Sequence, residues 1–171
     1  MDLDTFRWLL TDDGQALLAA AIAAEGTTFQ VQKKLREAAP GSADEKAERV
    51  AAALGQVELR RRAEPKLGED AARMYFTRDG LEQATRAAVA RHRAARLALG
   101  GPSVVDLTCG IGGDLVAFAR AGLTTAGIDL DPLRVELARA NLAALGLGGA
   151  VEVADATTLD VSPFATAYAD P

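Results

Sequence analysis

Val104-Val105-Asp106-Leu107-Thr108-Cys109-Gly110-Ile111-Gly112-Gly113-Asp114 is the stretch from which the rest of the chain can be read. Its apolar opening has the composition of a buried strand and its glycines mark a tight turn. The apolar-periodic run 115–121 then leaves that turn as a helix. A strand that turns through glycines into a helix offers a ligand the unpaired N–H groups of the helix N-terminus. Here the carboxylates of Asp106 and Asp114 flank that point and would repel a diphosphate. They suit a ligand with a positive pole and no phosphate. S-adenosylmethionine, with its ammonium and sulfonium, is a common cofactor of that description.

Downstream, the texture alternates: strands at 103–107, 124–128 and 151–153, a weaker one at 165–169, and helices at 115–121 and 132–145. Strands alternating with helices predict a parallel sheet with right-handed crossovers, an α/β fold of the Rossmann-like kind. In such sheets the strand C-termini open on one edge, where the strand order reverses and ligands sit. Asp106, Asp129, Asp155 and Asp170 each fall at or just after a strand end, so four acids are expected in one crevice.

Asp129 lies 19 positions after Gly110, the offset at which a carboxylate meets ribose hydroxyls. Asp131, followed by Pro132, has the form of a helix N-cap. Gly110 and Gly112 are expected where φ is positive or where a side chain would block the ligand. The position at which a nicotinamide-type G-x-G-x-x-G carries its third glycine is Leu115, which argues against that alternative. Cys109 is expected as a small side chain in the turn, its thiol opposed as a nucleophile by the adjacent carboxylates. Asp155 suits either an adenine amino group or an Asx-type turn.

The first hundred residues read as helices with short breaks. Thr11 or Asp12, Thr27 or Thr28, and Ser42 stand as caps, Ser42 with Glu45 in a capping-box pattern. Pro65 is expected to end the third long helix, and a single helix is expected over 79–99. Its stripe Leu81, Ala88, Ala95 and Leu99 would include His92 as a packed core residue without a catalytic role. The division expected is a helical domain over 1–78 and a cofactor-binding domain over 79–171.

Formal charge is −5 over 171 residues, but it is unevenly spread: residues 1–100 hold 16 Lys+Arg against 15 Asp+Glu, and residues 101–171 hold 3 against 9. A polyanion would meet Arg60-Arg61-Arg62 and Arg86, Arg91, Arg93 and Arg96 first, although a solvated helix face explains those arginines as well. The longest apolar run, 16–24, is too short to span a membrane, and the acidic start lacks a signal peptide's basic region, so a cytoplasmic protein is expected. One cysteine and one histidine leave no zinc cage, and no metal is expected.

Taken in order, Asp106-Leu-Thr-Cys-Gly-Ile-Gly-Gly, Gly127-Ile-Asp129-Leu130-Asp-Pro132, Ala138-Arg-Ala-Asn141, Ala154-Asp155-Ala156 and Tyr168-Ala-Asp170-Pro171 resemble the motifs of class I S-adenosylmethionine-dependent methyltransferases. Within that superfamily the chain looks most like the trimethylguanosine synthase-like branch and bacterial methyltransferases with a THUMP-like domain. The stretch from Met74 to Thr85 is similar to the segment that leads into their catalytic domain.

The resemblance implies that Asp106, Thr108, Cys109, Gly110 and Gly112 form the loop around the methionine moiety, with Asp129 and Leu130 at the ribose and Asp155 and Ala156 at the adenine. Asp170 and Pro171 match the opening of the motif that lines the methyl-transfer site. It also implies an RNA base nitrogen as acceptor and, because that family's sheet has seven strands, an inactive fragment that holds the cofactor half-site. A non-catalytic interaction module and a nucleotide-dependent oxidoreductase are the alternatives.

Overall fold

A computed structural model of the chain describes residues 1–170; Pro171, expected at the methyl-transfer site, lies outside the described residues. The chain divides into two compact units, Met1–Arg61 and Arg62–Pro171.

The first unit contains α1 (Leu3–Leu9), α2 (Asp12–Ile22), α3 (Thr28–Ala38) and most of α4 (Ala43–Leu67). Each helix starts where a side-chain oxygen takes an N–H that the helix itself cannot pair. Asp2 accepts from Thr5, Thr11 from Gly14, Thr27 from Gln30 and Ser42 from Glu45. Gln30 and Glu45 reach back to the N–H groups of Thr27 and Ser42, closing both capping boxes. Phe6 and Leu9 are wholly buried, and the Arg49 guanidinium lies 4.6 Å from the centre of the Trp8 ring.

Pro65 does not end α4, which runs on to Leu67. Pro65 lacks the N–H that would bond the Arg61 carbonyl and its ring crowds that carbonyl, but only two residues of helix follow it. The stop comes at Gly68, where φ is +69°.

In the second unit, α5 (Arg78–Gln83) and α6 (Ala87–Leu97) replace the one helix expected over 79–99. The break at 84–86 resets the helical phase. α6 therefore buries Ala90 and Ala94, while Ala88, His92, Ala95 and Leu99 are exposed. His92 is thus a surface residue and not the core residue that an unbroken helix would make it.

The sheet follows: β1 (Ser103–Asp106), α7 (Gly113–Arg120), β2 (Thr124–Asp129), α8 (Pro132–Ala144), β3 (Ala150–Val153) and β4 (Thr166–Tyr168). All pairings are parallel, in the order β3-β2-β1-β4, so the chain builds outward from β1 and then crosses to its other side. The reversal falls between β1 and β4. Register places Asp106 beside Gly127 and Tyr168, and Asp129 beside Val153, which brings the strand ends to one edge.

Val104, Leu115, Phe118, Val135, Ala138, Leu142 and Val151 form the core beneath that edge. Phe118 is wholly buried and meets Tyr168 edge-on at 5.6 Å. Truncating it to Ala would cost about 3–5 kcal/mol.

The units divide after Arg61, inside α4. Hydrogen bonds explain why the segment around residues 70–75 goes with the sheet. Buried Asn141 on α8 accepts the Tyr75 N–H at 2.6 Å and donates to the carbonyls of Tyr75 and Ile111. Arg73 donates to the Ala144 carbonyl, and Asp70 pairs with Arg120 of α7. No helix among the described residues is long and apolar enough to cross a membrane.

Candidate functional site

The C-terminal ends of all four strands open on a cavity of about 560 Å³. Asp106, Asp129, Asp155 and Asp170 line it, as do Thr108, Cys109, Gly110, Leu130 and Ala156. Gly112 does not. The two glycines of the turn do different work. Gly110 has φ +52°, and a Cβ there would meet no atom within 4 Å, so a side chain would project into open space beside the cavity. Gly112 has φ +83°, and its Cβ would come within 3.1 Å of the Ala138 Cβ, so it permits the close approach of α7 and α8.

Asp106 ends β1 and is 2% exposed, with Oδ1 accepting the Thr108 N–H at 3.0 Å. Burial raises its carboxyl to about 7, and the nearby Asp114 and Asp129 add to the rise; the Thr108 N–H and Arg93 oppose it. The Cys109 thiol, also buried, is pushed far above the ordinary thiol range by desolvation and then by Asp106 and Asp129. A thiol held protonated is a poor nucleophile, so the turn uses Cys109 as a small side chain.

Asp129 links the two loops that the ligand would touch. Its Oδ2 accepts the Gly110 N–H and its Oδ1 the Asp131 N–H, both at 3.0 Å, with Arg134 at 4.0 Å. Each carboxylate oxygen keeps a second lone pair for a ribose hydroxyl. Asp131 caps α8 through the Leu133 N–H at 2.8 Å, with Pro132 in the first position, the structural role its sequence suggested. At Asp155, Oδ1 accepts both the N–H and the hydroxyl of Thr157, which together hold its pKa below the usual carboxylate value. The Asx turn is therefore present, and the residue still lines the cavity.

Asp170 is placed by three bonds. Its N–H donates to Thr108 Oγ1 at 3.0 Å, and its Oδ2 accepts from the Tyr168 hydroxyl at 3.0 Å and from Arg93 at 3.2 Å. Arg93 also pairs with Asp114 at 2.7 Å, and the Thr85 hydroxyl donates to the other Asp114 oxygen at 2.8 Å. Sequence reasoning gave Arg93, Thr85 and Tyr168 no place in the site, nor Gly80, Gln83 and Ala84, which line one side of the cavity. Once the break before α6 is known, Arg93 falls three residues after Ala90 and four before Leu97, on the apolar face of α6, where a charge requires a partner.

These contacts lower the negative charge of the cavity. Asp114 is met by an arginine and Asp106 is partly protonated near neutrality, so the site is less negative than its carboxylates suggest. An adenosyl ligand with a cationic amino-acid end still fits: the cavity is large enough, the Gly110 turn is bare, and carboxylates stand at the strand ends.

Residues 2–63 match a family described as a domain of unknown function, DUF8688, and residues 104–170 match the family described as methyltransferase domain. Over 94 residues the chain is 50% identical to uncharacterized S-adenosylmethionine-dependent methyltransferases of Mycobacterium tuberculosis strains CDC 1551 and H37Rv. That match covers 52% of this chain and 26% of each relative's length. A crystal structure named for a methyltransferase of Porphyromonas gingivalis W83 shares the fold at TM-score 0.55 and 24% identity, over 88% of this chain and 34% of that one. One named for a class I S-adenosylmethionine-dependent methyltransferase of Listeria monocytogenes does so at TM-score 0.50 and 16% identity, over 99% of this chain and 59% of that one. Over residues 104–170 the chain thus matches the methyltransferase domain family, and its parallel sheet shares the fold of these solved structures.

Proposed function

We propose that this chain serves a cytoplasmic bacterial methyltransferase that transfers the methyl group of S-adenosylmethionine to a base nitrogen of RNA. The observation that carries the reading is the convergence of Asp106, Asp129, Asp155 and Asp170 on one cavity at the point where the strand order reverses. The choice of RNA follows the resemblance to the trimethylguanosine synthase-like branch and the arginines of the helical region. The methyl group arrives already activated by the sulfonium.

The protein's part is alignment and exclusion of water, and effective molarity gained that way can supply several kcal/mol. Asp106 and the Gly110 turn would hold the amino-acid end, Asp129 the ribose and Asp155 the adenine. Asp170 would accept a hydrogen bond from the nitrogen that receives the methyl group. No serine or cysteine nucleophile is needed, in keeping with a Cys109 thiol held protonated.

Calorimetric titration with S-adenosylhomocysteine, beside thermal shifts with NAD, tests the reading. Saturable binding of S-adenosylhomocysteine with no response to NAD is expected. A shift with NAD alone would select an oxidoreductase, and no response to either would select an interaction module. Little or no turnover is expected of this chain alone, and the methyltransferase it serves is expected to transfer labelled methyl groups to RNA but not to protein.

A further inference from the structure

Arg93 stands on α6, ahead of the part of the chain that matches the methyltransferase domain family, and does not itself line the cavity. Its guanidinium nevertheless touches both sides of the strand-order reversal. Nη1 donates to Asp114 Oδ1 at 2.7 Å, in the first turn of α7, and to Thr85 Oγ1 at 3.3 Å. Nη2 donates to Asp170 Oδ2 at 3.2 Å, just past β4, and the guanidinium carbon lies 4.6 Å from the centre of the Tyr168 ring. The Tyr168 hydroxyl donates to that same Asp170 oxygen. One planar cation thus spans two carboxylates and stacks on an aromatic face, a combination that arginine geometry permits and lysine geometry does not.

We propose that Arg93 is a positioning residue for Asp170. It holds Oδ2 in place, so that Oδ1 remains the acceptor for the nitrogen that receives the methyl group. This rests on the methyltransferase reading of Asp170. Because Asp114 keeps a second bond to Thr85, the anchor at α7 is rigid, and the restraint falls on the end of β4, which pairs with β1 on one side.

The test is amide hydrogen exchange and Tyr168 ring resonances, read by NMR in the unaltered chain, Arg93→Lys and Arg93→Met. In Arg93→Met, exchange at Tyr168 and Asp170 is expected to rise at least tenfold relative to Val104 and Val105 of β1, with a shift of the Tyr168 ring signals. Arg93→Lys is expected to recover part of that protection. Should Arg93→Met not fold, Arg93→Met combined with Asp114→Asn removes the stranded carboxylate and is read the same way. Unchanged exchange at Asp170, or a rise shared equally by β1, would overturn the proposal. S-adenosylhomocysteine titration of the unaltered chain runs in parallel. Its failure would count against the methyltransferase reading, while the exchange data judge the Arg93 restraint on their own.

Discussion

Replacing Asp106 by asparagine separates two opposing effects of one buried carboxyl. Burial raises that carboxyl from 3.8 to about 7. At 1.36 kcal/mol per pKa unit, this corresponds to about 4 kcal/mol of native stability lost once the group ionises, an upper bound because the fold can relax around the charge. The folded pKa lies above the unfolded one, so between about pH 4 and pH 7 the folded chain holds a proton that the unfolded chain has released. Stability therefore falls as pH rises through that window, and the full loss is present above it. The asparagine amide keeps an acceptor for the Thr108 N–H and carries no charge. Asp106→Asn is expected to match the wild type at about pH 4 and to exceed it by as much as about 4 kcal/mol at about pH 8, measured by urea denaturation.

Carboxylates with lowered pKa, such as Asp155, act in the opposite sense but equally in both proteins, so the difference between the two curves isolates Asp106. Cofactor binding should run the other way: the ammonium of S-adenosylhomocysteine favours the ionised carboxylate. Wild-type affinity should then rise through pH 7, with close to one proton released per ligand bound at about pH 6. Calorimetry in buffers of different ionisation enthalpy reads that proton directly. A stability difference between the two proteins that is the same at pH 4 and pH 8 would refute the reasoning.

Asp129→Ala removes the acceptor of both the Gly110 and the Asp131 N–H as well as the ribose partner. With hydrogen bonds to charged groups worth ~1.5–3 kcal/mol, S-adenosylhomocysteine affinity should drop at least about tenfold by calorimetry; unaltered affinity would remove the assigned role. Gly112→Ala should lower the Tm more than Gly110→Ala, because it adds a 3.1 Å contact with Ala138 to the unfavourable φ that both share. Gly110→Ala should weaken cofactor binding more, and the opposite ranking in either assay would show the two roles to be exchanged. The Cys109 thiol should react with an alkylating reagent at neutral pH at least about 100-fold more slowly in the folded chain than in denaturant, since it is buried and held protonated. Equal rates would contradict that environment.

The parts of this fold that could be read from the sequence are those whose causes lie within a few residues. The glycine turn after β1, the Asp131-Pro132 start of α8 and the caps at Thr11, Thr27 and Ser42 depend on neighbours no more than three positions away. The four strand-end carboxylates could be read because strand direction alone decides which edge they reach. The break between α5 and α6 could not, since 84–86 contains neither Pro nor Gly. Thr85 is held there by Asp114, 29 positions on. The role of Arg93 was hidden for the same reason, its partners standing 21 and 77 positions away, and only the packing of α6 against α7 brings them together. The charge of the cavity is likewise set by partners distant in the sequence. A count of carboxylates reports the sign of a cavity only where each is solvated and unpaired. Here an arginine from α6 offsets Asp114 and burial partly protonates Asp106, so a count of carboxylates overstates the negative charge of the cavity.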